Sequence, residues 1–453
     1  MKDLNLTDEQ QQAYENIIED IKEVRNGDIF SEHSWVSLKG PAGTGKTFLS
    51  KKIVETLLSM NFTIAVVAPT HQATKVIRNT IGINNKNLQF TSLHSFLGLK
   101  PGKINLKTGE RKFVKETSKK KMSEISKRKF DICILDESSM VSNELFKFLK
   151  DEMYQNSRIS SFLFIGDEFQ LLPVGETELG HAIYDNPAIN HYSLSELIRN
   201  SDMEVIEFVT KIRSMIDDKC TKYELFNFII SERDKNNHSK IKFYNNKKDF
   251  IKKFIEEDRL GKADDVIATF TNANVNLYNE KIRSYYTKDE NGVVPEIHPL
   301  DLFVVQQSTQ EDITYGQNSF VNSEILSLKQ STFTTFDFKG KIFKGYKCVT
   351  TDGRKFNKLA KESEDDYERA CELLKANAIQ KKDGTAWKMY YDLLGLFLDV
   401  RPQFSSTTHK LQGSSYRDVY VDMTNLGYVQ DTDLLRLFYV ACTRAKQNVH
   451  ILV

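Results

Sequence analysis

The eight residues Gly40-Pro41-Ala42-Gly43-Thr44-Gly45-Lys46-Thr47 constrain this chain more than any other stretch. They match the pattern G-x-x-x-x-G-K-[ST] at every fixed position. The pattern acquires meaning from its flanks. An apolar strand, Trp35-Val36-Ser37-Leu38-Lys39, precedes it, and a helix is predicted from Lys46 to about Met60. In that setting the glycines let successive backbone N–H groups turn inward around phosphate oxygens, and the helix N-terminus adds partial positive charge. Lys46 is expected to reach the β- and γ-phosphates of a nucleoside triphosphate, and the Thr47 hydroxyl to ligate Mg²⁺.

Strands and helices alternate on both sides of this loop. Leu6 to Lys22 places Ala13, Ile17, Ile18 and Ile21 at helical spacing, with Thr7 as N-cap. Thr63-Ile64-Ala65-Val66-Val67-Ala68 is a continuous apolar run suited to a strand covered on both faces, and a helix is predicted from His71 to about Asn79. Asp131–Leu135 and Ser161–Ile165 continue the rhythm, which implies an α/β fold around a parallel sheet. A second α/β region is predicted from near Ile198, with strands Asp265–Phe270, Val419–Val421 and Asn448–Val453. Between about 313 and 400 the composition shifts. Residues 316–352 are rich in Ser, Thr, Phe and Lys with short alternating stretches, which predicts a small β-barrel; 359–399 reads as helical.

Net charge is +1, so the chain does not hold nucleic acid by bulk charge. A local patch stands out instead. Residues 100–129 carry twelve Lys or Arg against three Glu, and Lys107-Thr108-Gly109-Glu110 is a turn signal between candidate strands Lys103–Leu106 and Arg111–Val114. The stretch is either a basic hairpin or a solvated loop. The apolar runs are too short to span a bilayer, and the N-terminal residues lack the apolar core of a signal peptide. The closest two of the five cysteines are 23 residues apart, which excludes a paired C-x-x-C metal site and suggests reduced intracellular thiols.

Two acidic elements follow the loop in order. Asp136-Glu137 ends the strand Asp131–Leu135, at the strand end where α/β folds bind ligands. Asp136 is the expected Mg²⁺ partner through water, and Glu137 can take a proton from attacking water. Phosphate transfer to a bound acceptor needs no such hydrolytic base, so the pair favours an NTPase. Gly166-Asp167-Glu168-Phe169-Gln170 ends the next strand, and the Gln170 amide, which carries both a donor and an acceptor, can contact a γ-phosphate and report its presence.

This order of motifs resembles that of superfamily 1 helicases. Leu6-Thr7-Asp8-Glu9-Gln10 is similar to their N-terminal glutamine motif, in which Gln10 would read adenine. Ala68-Pro69-Thr70-His71-Gln72-Ala73 and Thr91-Ser92-Leu93-His94-Ser95-Phe96 resemble their DNA-facing motifs. Leu194-Ser195-Glu196-Leu197-Ile198-Arg199 resembles the motif carrying a first arginine finger, and Ser406–Gly413 and Leu437–Ala445 resemble motifs V and VI. Length and spacing look most like the Dda helicases of tailed phages, in the RecD-type branch, superfamily 1B.

The resemblance implies two RecA-like parallel-sheet P-loop motor domains. The first would comprise 1–96 and 130–195, and the second 196–312 and 401–453. A pin-like hairpin would occupy 97–129, and an SH3-like β-barrel with a helical extension 313–400. ATP and Mg²⁺ would bind between the motors, with Gln10, Gly40, Pro41, Ala42, Gly43, Thr44, Gly45, Lys46 and Thr47 on one side and Arg199 and Arg444 on the other; Asp136 joins Thr47 at the metal. Lys46, Glu137, Gln170, Arg199 and Arg444 would carry the chemistry. Pro69, Thr70, His71, Thr91, His94, Phe113, Asn272, Thr407, His409 and Lys410 would contact DNA, with Phe113 stacking on a base or packing in a core. Trp387, Tyr390 and Tyr391 would brace the pin or form a local core.

The implied activity is 5′-to-3′ movement on single-stranded DNA with unwinding of tailed or forked duplex; the alternative is a single-strand translocase or loader with little unwinding. The implied setting is a monomer without membrane attachment in the cytoplasm, a host's if phage-encoded, with a replication or single-strand-binding protein as a candidate partner.

Overall fold

The computed structural model describes residues 6–26, 34–101, 113–116, 124–173, 181–196, 203–235, 237–256, 262, 264–289, 291–306, 320, 324–424, 426 and 429–453. Capping chemistry fixes the first helix. The Thr7 N–H donates to Gln10 Oε1 (3.2 Å) and the Gln10 N–H to Thr7 Oγ1 (3.3 Å), a reciprocal pair that satisfies two orphaned donors. Helix α1 (Asp8–Asn26) then buries Ala13, Ile17, Ile18 and Ile21, as their spacing predicts.

The first sheet grows from alternating elements: β1 (Trp35–Lys39), α2 (Lys46–Ser59), β2 (Ile64–Ala68), α3 (His71–Ile81), β3 (Leu88–Ser92) and α4 (Leu93–Leu97). A two-stranded antiparallel ladder follows, β4 (Leu99–Pro101) with β5 (Phe113–Lys115), then the short helix α5 (Glu124–Lys127). The chain returns to the sheet through β6 (Phe130–Leu135), α6 (Asn143–Tyr154), β7 (Ile159–Gly166) and β8 (Asn190–Ser193). The six strands are parallel in the order β3-β2-β6-β7-β1-β8. Ile64 and Val66 join the core on one face and Ala65 and Val67 the core on the other. The period-two alternation of strand side chains therefore explains why β2 is apolar at every position.

The second α/β unit contains α7 (Met203–Asp217), α8 (Lys222–Lys235), β9 (Ile241–Tyr244), α9 (Lys247–Glu256), β10 (Val266–Thr269) and α10 (Asn272–Thr287). Next in the chain come β11 (Leu302–Val305), β12 (Ile325–Phe338), β13 (Lys341–Thr350), β14 (Lys355–Leu359), α11 (Glu364–Lys381), α12 (Gly384–Leu394) and β15 (Val400–Pro402). The second sheet is completed by β16 (Ser405–Thr407), α13 (Thr408–Leu411), β17 (Tyr416–Asp422), α14 (Asp431–Thr443) and β18 (Ala445–Leu452). Its parallel order is β16-β10-β17-β18-β9.

One expectation needs correction. Among the described residues the strands between the two parts of this unit form an antiparallel sheet, β14-β13-β12-β11-β15, that does not close into a barrel. Its edge is supplied by β15 pairing with β11, so strands at the two ends of the insertion belong to its sheet. In the basic hairpin, the described ladder pairs Leu99–Pro101, which starts straight after the left-handed Gly98 that ends α4, with Phe113–Lys115; the expected strand Lys103–Leu106 lies outside the described residues. The turn at Lys107–Glu110 lies outside the described residues.

Buried charge fixes the base of that hairpin. Glu152 on α6 accepts from Lys115 of β5, from the Arg158 guanidinium and from Asn156 Nδ2 (3.1 Å). Arg158 also donates to the Phe96 carbonyl of α4 (3.3 Å). Trp387 is fully buried against Ala378, Ala386, Tyr390 and Tyr391, so these rings form a local core on α11 and α12. No helix among the described residues is long and apolar enough to cross a membrane.

Candidate nucleotide site and nucleic-acid interface

Strand order brings the motif ends together. The loop after β1, Asp136 after β6 and Gly166 at the end of β7 leave the same edge of three neighbouring strands. Gly43 (φ 99°) and Gly45 (φ 76°) adopt the left-handed backbone that the loop needs and that L side chains disfavour. The Gln10 amide donates to the Thr44 carbonyl (3.0 Å), tying the N-terminal helix to the loop. The Lys46 ammonium donates to the carbonyls of Gly40 (2.5 Å) and Pro41 (2.8 Å). Burial pulls its pKa below the ordinary lysine value, and the carboxylates of Asp167, Glu137 and Asp136 oppose that shift.

Burial, and next the charge of Glu137, raise the Asp136 carboxyl well above the usual carboxylate range; Lys46 offsets part of this. Glu137 itself sits at φ 52°, ψ 44°, a left-handed position for a non-glycine residue at the mouth of the cleft. Such backbone costs of order 1 kcal/mol or more and concentrates at functional sites. Gly166 is held as glycine by its surroundings. A Cβ there would stand 2.1 Å from Tyr184 Oη and 2.8 Å from Ser138 Oγ, which are themselves hydrogen-bonded at 2.9 Å. Gly166→Ala should therefore displace this buried pair and cost about 1–3 kcal/mol, the usual range for overpacking. A thermal melt that matches wild type would show that the strand end yields without cost.

The cleft of about 1030 Å³ joins both units. Gln10, Lys46, Thr47, Asp136, Glu137 and Gln170 line one side, and Gly413, Thr443 and Arg444 the other. Arg444 caps α14 and is 5% exposed; its guanidinium donates to the carbonyls of Val440 (3.2 Å) and Ser414 (3.4 Å) and to Thr443 Oγ1 (3.1 Å). Arg199 lies outside the described residues. The segment leading to it is anchored: the Glu9 carboxylate accepts from the N–H and hydroxyl of Ser195 (2.9 and 2.7 Å) and the N–H of Glu196 (2.8 Å).

Contacts between the units include residues that sequence reasoning missed. The Gln412 amide donates to Gln170 Oε1 (3.1 Å), and the Tyr439 hydroxyl to Asp167 Oδ2 (2.7 Å). Arg436 donates to the carbonyls of Glu168 (2.6 Å) and Gln170 (2.8 Å). The signal available for Arg436 was a single cation inside the apolar run Leu434–Cys442.

The candidate DNA contacts lie at the flank of each sheet, β3-β2 in one and β16-β10 in the other. Pro69 and Thr70 follow β2, Thr91 is near the end of β3 and His94 comes just after it. Asn272 follows β10, Thr407 ends β16, and His409 and Lys410 come just after it. Thr70 Oγ1 accepts from Ala73 N–H (3.1 Å) as the cap of α3; the His71 side chain is outside the described set. The Phe113 ring is half exposed and stands 4.8 Å from the His94 ring, so the hairpin and the β3–α4 motif share one aromatic surface. Arg401 of β15 donates to Asn272 Oδ1 (3.1 Å), and Lys410 to Gln306 Oε1 (2.5 Å). Arg401 is thus a further cation in this group that no motif marked.

The loop and fold define a P-loop NTPase built of two parallel-sheet units, with a cleft lined from both. Comparison with known proteins carries this further. A family model for an AAA domain matches residues 5–230, and one for the UvrD-like helicase C-terminal domain matches 403–452. Together they take in more than half of the chain. The ATP-dependent DNA helicase dda of Enterobacteria phage T4 is 26% identical, across 98% of each chain. A protein of Acanthamoeba polyphaga mimivirus is 25% identical across 93% of this chain and 96% of its own. In fold, the chain is similar to a Pif1 helicase from Bacteroides (TM-score 0.52, 16% identity, 99% and 92% covered) and to one from Candida albicans (0.50, 18%, 99% and 94%). The chain belongs to the Pif1/Dda-like helicases of superfamily 1B.

Proposed function

We propose that this protein is an ATP-hydrolysing DNA helicase that moves 5′-to-3′ along single-stranded DNA and separates duplex ahead of it. One observation carries the reading: a cleft lined by Lys46, Asp136, Glu137 and Gln170 from one sheet unit and by Arg444 from the other. A relative matched across almost its whole length bears the name ATP-dependent DNA helicase. The direction of travel rests on family membership.

The chemistry follows from the placement of charge. Backbone N–H groups of Gly43–Thr47 and the α2 N-terminus would cradle the phosphates, with Lys46 released from the loop carbonyls to the β- and γ-oxygens. Thr47 and Asp136 fit a Mg²⁺ site. A buried carboxylate with raised proton affinity gains from a cation, and one carboxylate plus a hydroxyl suits an ion whose other ligands are phosphate and water. Mg²⁺ would neutralise charge on the β- and γ-phosphates. Glu137 takes the proton of the attacking water. Arg444, joined by Arg199, offsets charge developing on the γ-phosphoryl group, and Gln170 reports its presence to the second unit through Gln412.

Single-stranded DNA would run across the β2–β3 edge of one sheet and the β10–β16 edge of the other. Burial, and then the charge of Arg401, lower the pKa of Lys410, so an anionic backbone placed here relieves both. The motor domains would be 1–96 with 130–195 and 196–312 with 401–453. Residues 97–129 would form the pin, and 313–400 an SH3-like accessory domain whose open sheet takes in the flanking strands β11 and β15. A replication or single-strand-binding protein is the candidate partner, and the enzyme acts as a monomer.

Replacing the hairpin tip, 102–112, by a Gly/Ser linker tests this reading on duplexes with either a 5′ or a 3′ tail. The tip removes four Lys or Arg and leaves Lys115 with its Glu152 anchor. Wild type should open only the 5′-tailed duplex. The variant should keep ATPase on single strands and lose unwinding, with a flatter salt dependence because fewer counterions are released. Phe113→Ala should reproduce part of the loss if stacking, worth about 1–3 kcal/mol per base, is the contact. Unwinding at the wild-type rate by the tip variant would reduce the tip to a solvated loop, and little unwinding by the wild type itself would favour the second reading, a single-strand translocase.

A further inference from the structure

The turn Gly166–Gln170 is held from outside its own unit at three points: by Arg436, just before the segment that resembles motif VI, and by Tyr439 and Gln412 inside the segments that resemble motifs VI and V. Its internal structure is simple. Asp167 Oδ1 accepts from the Phe169 N–H (3.0 Å), and the Gln170 N–H donates to the Asp167 carbonyl (3.2 Å). That leaves the carbonyls of Glu168 and Gln170 for other donors. Both are taken by one nitrogen of Arg436, on α14 of the other unit, at 2.6 and 2.8 Å. One helical turn further on, Tyr439 donates to Asp167 (2.7 Å), and Gln412 donates to the Gln170 side chain (3.1 Å).

Helix geometry gives these contacts a direction. Arg436, Tyr439, Val440 and Thr443 are spaced i, i+3, i+4, i+7 and share a face of α14. Arg444 lies eight residues beyond Arg436, about 12 Å along the axis at ~1.5 Å per residue. The helix between them is rigid by burial: Leu434, Leu435 and Leu437–Cys442 are all buried. A charge-assisted grip on two carbonyls at one end therefore sets where the guanidinium at the other end stands relative to Lys46. The main-chain acceptors cannot be removed by side-chain change in the turn, so the cation is the adjustable half of the contact.

We propose that Arg436 is a positioning residue for ATP hydrolysis: by clamping α14 onto the carbonyls of Glu168 and Gln170 it fixes Arg444 against the nucleotide, and it transmits movement of the Gln170 turn to the second unit. This rests on the reading of Arg444 as a finger. Arg436 is not among the residues that line the cleft. Its loss changes the rate of the closed cleft and leaves binding in place.

Steady-state ATPase with saturating single-stranded DNA tests this in a double-mutant cycle. Arg436→Ala should lower kcat by about tenfold or more, with the KM for ATP and the Kd for single-stranded DNA within about threefold of wild type, the split expected when an interaction matters in the transition state. Arg436→Lys, which keeps a cation able to donate to both carbonyls, should recover a substantial part. In an Arg444→Ala background, Arg436→Ala should cost less than about twofold more, because residues acting as a unit are not additive. Should Arg436→Ala fail to fold, Tyr439→Phe removes only the bond to Asp167 and should show a smaller loss with the same non-additivity. Wild-type kcat in Arg436→Ala, or an equal factor in both backgrounds, overturns the proposal. An unchanged kcat in Arg444→Ala removes the finger assignment instead, and leaves the effect of Arg436→Ala in the wild-type background as a separate result.

Discussion

Exchanging Glu137 for glutamine should leave ATP binding near the wild-type level and lower DNA-stimulated turnover by about 10²–10⁴-fold, the contribution of a positioned general base. At ~1.4 kcal/mol per decade this is about 3–6 kcal/mol of transition-state stabilisation. The electrostatics separate the two effects. Glu137 is the largest charge opposing ionisation of Asp136, so glutamine makes Asp136 a better carboxylate and favours a cation held by Asp136 and Thr47. Glu137 also supports the charged form of Lys46, but Asp167 ranks ahead of it and Asp136 remains, so the ammonium keeps its main partners. Glutamine has the same length and keeps the left-handed backbone at φ 52° no more strained than before. Only proton acceptance is lost. Steady-state ATPase with single-stranded DNA, beside titration of a fluorescent ATP analogue, reads both quantities. Near-normal turnover would remove Glu137 from the base role.

The nucleotide half of the site was legible because its chemistry dictates residue type at fixed offsets. Gly43 and Gly45 are glycines since their φ values of 99° and 76° admit little else, and Lys46 follows because the helix must start there. Strand ends at Leu135 and Gly166 could be placed from apolar runs, and the parallel order brings them together as expected. Where tertiary attachment sets the outcome, local pattern fell short. The turn signal at Lys107–Glu110 lies outside the described residues, and the described ladder pairs Leu99 with Lys115, where Glu152 and Arg158 hold its base. Glu152 lies 37 residues from Lys115, and no short-range spacing announces that pair.

Contacts between the units were the least visible. Glu9 neighbours Gln10 in a recognised motif, but its three acceptor bonds go to residues 186 and 187 positions away. Arg436 stood out only as a cation in an apolar helix; its meaning depends on which carbonyls face that helix. The long antiparallel strands β12 and β13 were foreshadowed by alternation, whereas closure into a barrel is a property of edges that alternation does not encode.

Arg444→Ala should retain single-stranded DNA binding and lose DNA-stimulated ATPase by about 10³-fold or more, the scale of a missing arginine finger. Several observations keep the two activities apart. The candidate DNA residues Thr91, His94, Thr407 and His409 lie in or just after the outer strands β3 and β16, while Arg444 lines the cleft with Lys46 and Glu137. The Arg444 charge lowers the proton affinity of Lys46, so its removal leaves that ammonium more firmly charged and cannot explain a loss of phosphate binding. Structural damage is the competing cause, because the guanidinium also bonds the Val440 and Ser414 carbonyls. Arg444→Lys separates the two. It keeps a cation and a donor at the end of α14 but loses the planar fork, so it should preserve the fold and still turn over far below wild type. Equal thermal melts for Arg444→Lys and wild type, with ATPase down at least tenfold by the ~1.4 kcal/mol per decade scale, would place the residue in the chemistry. ATPase in Arg444→Ala that DNA still stimulates to the wild-type level would confine Arg444 to packing and dissolve the shared-cleft mechanism.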